Sequence, residues 1–277
     1  MSIRRGSQIA GAALLALVVP TQAPAHETWL DVHDWQPAKS DRIEADIRNG
    51  HGFDGRILPW LDQLIDSMEL MDGLGRLAIE GENGNMPAVA VRARTDGLSI
   101  LVYESRYRTL TYDSFEVFRE FLADKDENWV LSEHTLRDLP TSAVREAYRR
   151  FSKALVAVGG RRGADRFTGM ELELIAEANP YTDHGAPFVV QLLYNGAPKA
   201  GERVTLFSRD AGGVVDIRLA KTGADGRVAF ALRPGRDYLV DAVLVRKPAR
   251  NIAAEHLVMW ESLWASLTFA TPATDGQ

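Results

Sequence analysis

The sequence predicts a mainly β protein made of two β-sandwich-like domains with a short helical insertion. Short segments with an apolar residue at every second position follow one another along the chain, as in strands that bury one face. Turn-forming Asp-Gly and Asn-Gly pairs separate many of these segments, as in antiparallel hairpins. Hydrophobic residues make up 45% of the 277 residues, which is enough for a packed core and excludes a largely disordered chain.

The N-terminal domain is predicted to span residues 26–164 and to begin with strands. Alternation is clear at residues 43–47 and 88–94, and residues 98–103 form a more continuous apolar run. Residues 65–75 fit either a helix or a strand by spacing. We favour a strand there because the neighbouring segments are strands.

Two helices are predicted to interrupt these strands. The first begins at Asp113, which forms a capping-box-like pattern with Glu116 and precedes a stripe of phenylalanines. The second begins at Pro140 and continues in apolar residues at helical spacing from Val144 to Leu155. We interpret its other, basic face as a solvated surface rather than a phosphate or partner site. That face holds Arg145, Arg149, Arg150 and Lys153.

The C-terminal domain is predicted to span residues 165–277 as an antiparallel β-sandwich. Regularly spaced short strands with turn signals between them indicate this architecture. The predicted strands lie at residues 170–174, 188–194, 203–207, 214–219, 227–232 and 238–245. We expect the apolar run 259–269 to close the sheet, and Glu171 and Glu173 to face solvent from one strand face.

Residues 1–25 have the features of a cleaved signal peptide, so we expect a periplasmic protein. Arg4 and Arg5 precede an apolar run, and Ala23-Pro24-Ala25 fits a cleavage site. No later run approaches about 20 apolar residues, so no transmembrane segment is expected in the mature chain. The remaining 30 basic and 38 acidic residues give a net charge of −8, which argues against nucleic acid as a partner.

The chain has no cysteine, so a tight transition-metal site would need histidine or carboxylate ligands. Cleavage after residue 25 would make His26 the first residue, and its free amine and imidazole could chelate one metal ion. His51, in a glycine-flanked loop, is the predicted second ligand, with His33, Glu27 and Asp31 as further candidates. Nitrogen ligands suit Ni, Co, Cu or Zn. The alternative is that His51 only stabilises a turn.

Motifs for nucleophilic hydrolysis and phosphate binding are absent from the sequence, so we predict a protein without enzymatic activity. A copper enzyme built on His26 remains open, provided that His51 or His33 reaches the same ion. A third class is an interaction module that binds a carbohydrate or an envelope protein. Two tryptophan pairs could then stack on sugars, although tryptophans more often lie in a core; they are Trp29 with Trp35 and Trp260 with Trp264.

Several segments together resemble the family catalogued as domain of unknown function 4198. They include Ala25-His26-Glu27-Thr28-Trp29-Leu30, the 50–55 segment, Tyr103-Glu104-Ser105-Arg106, the 115–122 helix, the 148–155 segment, Leu172-Glu173-Leu174-Ile175, Asn179-Pro180-Tyr181, Gly196-Ala197-Pro198, the 222–227 segment and the 260–269 segment. The resemblance implies a periplasmic all-β protein whose C-terminal half is similar to transthyretin or carboxypeptidase-regulatory modules. It also implies a nickel- or cobalt-uptake component that accompanies a membrane metal transporter.

His26 and His51 match the opening motifs of that family and are carried over as possible metal ligands. A C-terminal histidine of some relatives is replaced here by Leu244-Val245-Arg246. The sequence therefore predicts a periplasmic accessory protein that binds a divalent metal, with a non-catalytic interaction module as the alternative.

Overall fold

The computed structural model describes residues 26–183 and 187–273 and shows a mainly β protein. The strands of the described residues are β1 (Glu27–Val32), β2 (Arg42–His51), β3 (Asp54–Leu58), β4 (Ile65–Asp72), β5 (Gly75–Ala78), β6 (Val89–Arg92), β7 (Gly97–Ser105), β8 (Arg108–Thr111), β9 (Arg145–Val158), β10 (Leu172–Ala176), β11 (Phe188–Tyr194), β12 (Ala197–Pro198), β13 (Arg203–Arg209), β14 (Val215–Lys221), β15 (Arg227–Phe230), β16 (Asp237–Arg246) and β17 (Trp260–Ala270). The helices are α1 (Phe115–Lys125), α2 (Trp129–Leu136) and α3 (Arg250–His256).

The strands form three sheets that pack as a sandwich. The largest sheet has the order β14-β13-β16-β17-β9-β7-β4-β5, with β8 also paired to β9. One four-stranded sheet holds β1, β2, β3 and β6, and the other holds β10, β11, β12 and β15. A separate hydrophobic core fills the space between each small sheet and the large one. The predicted β-sandwich-like class is therefore confirmed.

The centre of the large sheet is a parallel pair, β9 with β17, and this part corrects the sequence prediction. The helix predicted to begin at Pro140 is wrong, because its residues form the 14-residue strand β9. Residues 151–158 of this strand are all buried. A strand covered on both faces shows no polar–apolar alternation, so apolar residues at helical spacing could be mistaken for a helix. The apolar run predicted to close the sheet is β17, which lies at its centre rather than at an edge.

The first predicted helix is confirmed as α1, with its start shifted by one residue. Ser114 rather than Asp113 is the N-cap, and its hydroxyl accepts a hydrogen bond from the backbone N–H of Val117. The apolar face of α1 packs against strands β16 and β17. The helices α2 and α3 were not predicted. Their short apolar segments carry no long helical period.

Several polar and aromatic residues lie deeper than predicted. Glu173 does not face solvent, because its carboxylate accepts hydrogen bonds from the ammonium of Lys153 and from three backbone N–H groups. Trp29 and Trp260 are fully buried in hydrophobic clusters, so neither forms an exposed platform for sugars. The large sheet takes strands from both sides of residue 165, and the division into two domains stays a prediction.

Candidate functional site

The antiparallel pairing of β1 with β2 places His26 and His51 at the same end of a sheet. Glu27 lies opposite Gly50 in this register, so His26 and His51 are the next positions on the two strands. Gly50 has no side chain for a reason of space: a Cβ there would lie 2.0 Å from the carbonyl oxygen of Asp54. The turn that follows His51 also contacts β1, because the backbone N–H of Gly52 donates a hydrogen bond to Glu27 Oε2.

The imidazole of His51 is held by the carboxylate of Glu27. Its Nδ1 lies 3.1 Å from Glu27 Oε2, and the ring packs edge-on against Phe207. The Glu27 side chain has no exposed surface, whereas half of the His51 side chain is exposed. The hydrogen bond that His51 donates to Glu27 raises the pKa of His51 against the opposing effect of burial. Since a carboxylate accepts the Nδ1 proton, Nε2 is the nitrogen left for a ligand.

The same carboxylate connects His51 to a buried charge cluster. Lys125 Nζ lies 2.9 Å from Glu27 Oε1 and 3.7 Å from Asp241 Oδ2. Burial raises the pKa of Glu27, but the hydrogen bond from His51 and the charge of Lys125 outweigh that effect and lower it overall. Burial raises the pKa of Asp241 to about 7. Glu27 is therefore the ionised partner that positions both Lys125 and His51.

His26 lines a cavity beside this cluster. The guanidinium of Arg150 donates a hydrogen bond of 2.6 Å to the backbone carbonyl of His26. Burial and the nearby charge of Arg150 lower the pKa of the His26 imidazole. Its ring is consequently neutral at neutral pH and can offer a lone pair to a metal ion.

The cavity has a volume of about 360 Å³ and is lined by residues of β1, β2, β3, β7, β8, β9, β17 and α1. Its wall combines basic, aromatic and hydroxyl side chains with a few aliphatic ones. The polar and aromatic lining consists of His26, Thr28, Asn49, Arg56, Tyr103, Ser105, Arg108, Thr111, Tyr112, Asp113, Phe121, Glu146, Tyr148, Arg150 and Trp264. Concave sites with this mixture are typical of small-molecule binding.

The structure separates the remaining predicted ligands from His51. His33 lies beyond the far end of β1, where its Nε2 is 3.2 Å from Asp46. Asp31 pairs with Arg48 and Arg209. Within residues 26–183 and 187–273, no three His, Cys, Asp or Glu side chains form a group that could hold a metal. Of the predicted set, the fold brings together only His26, His51 and Glu27, and a metal role for them stays a prediction.

The other histidines have different settings. His134 is buried and accepts a hydrogen bond from the indole of Trp260 at its Nδ1, which is a structural role. His256 packs beside Tyr107. His184 lies outside the described residues.

Sequence reasoning missed three charged residues of this region. Arg150 was assigned to a solvated helix face, whereas it lines the cavity from β9. Lys125 and Glu146 were not singled out. Their partners lie 98 and 116 residues away in sequence, so no local spacing could have revealed them.

Comparison with known proteins identifies the family. The model described as "Domain of unknown function (DUF4198)" matches residues 23–246, and the chain belongs to that family. A search of curated proteins gives no match. No helix within the described residues has the length and apolar character needed to cross a membrane.

Solved structures show only distant similarity. One is a tetra-tandem repeat in the extending region of a large adhesion protein, with 12% identity and a TM-score of 0.23; the match covers 90% of this chain. This chain spans about half the length of that structure, 50%. Another is the D0-D1 domain of intimin, with 12% identity, a TM-score of 0.22 and coverage of 87% of this chain and 97% of the intimin chain. Scores this low carry no argument about function.

Proposed function

We propose that this DUF4198 protein is a non-catalytic periplasmic accessory protein that captures a divalent transition metal at His26 and His51. The metal, such as Ni²⁺, Co²⁺ or Cu²⁺, would then pass to a membrane transporter. The observation that carries the proposal is the Glu27–His51 hydrogen bond beside His26.

The Glu27–His51 pair has the arrangement found around metal-binding histidines. Such a histidine commonly donates one ring N–H to a carboxylate, which sets the tautomer and makes the other nitrogen more basic. Here Glu27 is fully buried and held by Lys125, so it is a rigid acceptor for His51 Nδ1. The half-exposed His51 ring keeps Nε2 for a ligand from solvent.

His26 supplies the further nitrogens. Its imidazole has a lowered pKa, so little free energy is needed to remove a proton before metal binding. Cleavage after Ala25 would add the α-amine of His26 as a third nitrogen. Two residues would then provide three ligands, a set that suits Ni²⁺, Co²⁺, Cu²⁺ or Zn²⁺ and binds Cu²⁺ best in direct competition.

Titration calorimetry of the mature protein tests the proposal. Protein that begins at His26 is titrated with NiCl₂, CoCl₂ and CuSO₄ and compared with H51A, E27Q and a variant with one extra N-terminal residue. We expect H51A to abolish binding and E27Q to weaken it by about 10–100-fold. H33A is the matched control, because His33 also contacts carboxylates but lies outside the site. Equal affinities for wild type, H51A and the extended variant would contradict the proposal.

A second candidate function is an interaction module, and one observation favours it. Strand β14 is an edge of the large sheet, and Ile217 and Leu219 on it are 52% and 60% exposed. An edge strand with exposed apolar residues is a surface to which an extended segment of an envelope protein could pair. A photo-crosslinker at Ile217 in intact cells should then give a defined adduct, and one at exposed Arg92 should not. Equal labelling from both positions would eliminate this candidate.

A further inference from the structure

Three arginines of the cavity wall have no carboxylate partner among the described residues. Arg56, Arg108 and Arg150 all line the cavity, and none forms an ion pair with an Asp or Glu in residues 26–183 or 187–273. Some arginines outside the cavity are ion-paired, such as Arg94 with Asp72 and Arg246 with Glu261. An arginine cluster without counter-charges favours binding of an external anion, since guanidinium groups match carboxylate and phosphate oxygens.

Arg150 is the most buried of these three arginines, and its guanidinium is held in position by several contacts. Its guanidinium lies 4.8 Å from the ring centre of Trp264 and 5.1 Å from that of Tyr148, and it donates a hydrogen bond to the His26 carbonyl. These contacts fix the planar group without neutralising its charge. Arg56 on β3 and Arg108 on β8 line the same cavity and are more exposed than Arg150.

The carboxyl groups of the wall are not the missing partners. Both oxygens of Glu146 are engaged by hydroxyl groups, with Tyr112 donating to one and Ser262 to the other. Asp113 is exposed at the rim, where it forms no ion pair with a described residue. The cavity therefore keeps a net positive lining beside its aromatic surface.

We propose that this cavity binds a small ring-containing anion, with its carboxylate or phosphate group at Arg56, Arg108 and Arg150. The ring would pack against the aromatic wall formed by Phe121, Tyr148 and Trp264. A volume of about 360 Å³ suits a monosaccharide acid, a sugar phosphate or a small aromatic acid. This site requires no metal and does not depend on the function proposed above.

Chelator-treated protein, freed of metal, tests this proposal by titration calorimetry. The probes are glucuronate, glucose 6-phosphate, benzoate and phenyl phosphate, with glucose and phenol as their neutral counterparts. We expect at least one anion to bind with millimolar or tighter affinity and its neutral counterpart to give no heat. Carboxylate and phosphate probes on the same rings distinguish which anionic group the arginines prefer.

Arginine variants locate the binding. R56Q and R108Q should each weaken the bound anion by about tenfold, and both residues are exposed enough for the fold to survive. R92Q is the matched control, because Arg92 is also exposed and without an ion pair among the described residues but lies outside the cavity. Three results would each overturn the proposal. They are no heat of binding from any of the four anions, equal binding of the neutral probes, and unchanged affinity in R56Q and R108Q.

Discussion

Two buried lysines of this sandwich each contact two buried carboxylates, but only one of the two clusters extends to a solvent-exposed side chain. Lys153 on β9 contacts Asp165 at 2.6 Å and Glu173 at 3.1 Å, and none of the three side chains is exposed. Lys125 at the end of α1 contacts Glu27 at 2.9 Å and Asp241 at 3.7 Å. The second cluster continues through Glu27 to the half-exposed ring of His51.

The difference indicates which cluster is structural and which can serve a ligand. Around Lys153, Glu173 also accepts hydrogen bonds from three backbone N–H groups, so its charge is fully satisfied inside the protein. Around Lys125, the cluster ends at an imidazole nitrogen that faces solvent. A buried charge network that ends at an accessible titratable group is typical of a functional site.

The largest expected effect on stability comes from removing the lysine of the fully buried Lys153 cluster. Replacing Lys153 by Met leaves two buried carboxylates without their cation, and this should lower the free energy of unfolding by about 3–5 kcal/mol. Urea unfolding of the purified variants measures it. K247M is the matched control, because Lys247 pairs with Glu133 at the surface and should contribute less than about 1 kcal/mol. A K153M variant as stable as K247M would contradict the structural role.

Removing the lysine of the Lys125 cluster should lower the free energy of unfolding by a smaller amount. In K125M, Glu27 keeps His51 and Gly52 as donors, and Asp241, with a pKa already raised to about 7, can take up a proton. We expect a loss of about 2 kcal/mol. The loss should grow from pH 6 to pH 8, because protonated Asp241 no longer needs the ammonium. Urea unfolding at both pH values checks this, and a loss equal to that of K153M would remove the distinction between the clusters.

The sequence could predict strands wherever one face is buried and a turn follows. Strands β11, β13 and β16 begin and end close to the predicted residues because Asn195-Gly196 and similar turns delimit them. Strand β9 escaped prediction because both of its faces are covered in the sheet centre. Strands that are distant in sequence bury this strand, and the local sequence pattern does not predict their presence.

The candidate site was predictable only in its local part. The signal-peptide pattern and the glycine-flanked loop directed attention to His26 and His51, and strand pairing brings these residues together. His33 was a candidate by proximity in sequence, but six strand residues place it at the opposite end of β1. Arg150 and Lys125 reach the site through tertiary packing, which a single sequence does not specify.

The pH dependence of metal binding tests whether Glu27 acts through the pKa of His51. Its carboxylate favours the protonated form of His51 and so raises the pKa of that ring above its usual 6.5. Because a metal needs the deprotonated ring, protonation of His51 alone should lower the affinity for Ni²⁺ by about tenfold per pH unit below that pKa. In E27Q the pKa returns toward 6.5, so the affinity difference between wild type and E27Q should narrow as pH falls.

Nickel titrations at pH 6, 7 and 8 measure this difference. The α-amine of His26 also titrates in this range, but it is common to both proteins and cancels in the comparison. A difference that stays constant, or widens toward pH 6, would show that Glu27 does not act through the His51 proton.

The smallest expected effect concerns the charge of the anion cavity. Burial raises the pKa of Glu146 to about 7, against the opposing hydrogen bonds from Ser262 and Tyr112. Glu146 is therefore largely neutral at pH 6 and ionised at pH 8, where it adds a negative charge to a wall that also carries Asp113. Burial and the charge of Arg150 lower the pKa of His26, which favours its neutral ring.

An anion that binds at Arg56, Arg108 and Arg150 should consequently lose about threefold in affinity between pH 6 and pH 8. The measurement uses benzoate or glucuronate, whose carboxyl groups remain ionised over this range, in metal-free protein. E146Q should bind with nearly constant affinity, because its amide cannot ionise. If affinity rises with pH, or if E146Q keeps the wild-type slope, Glu146 does not sense the bound charge, and the anion lies away from the wall that this residue shares with Arg150.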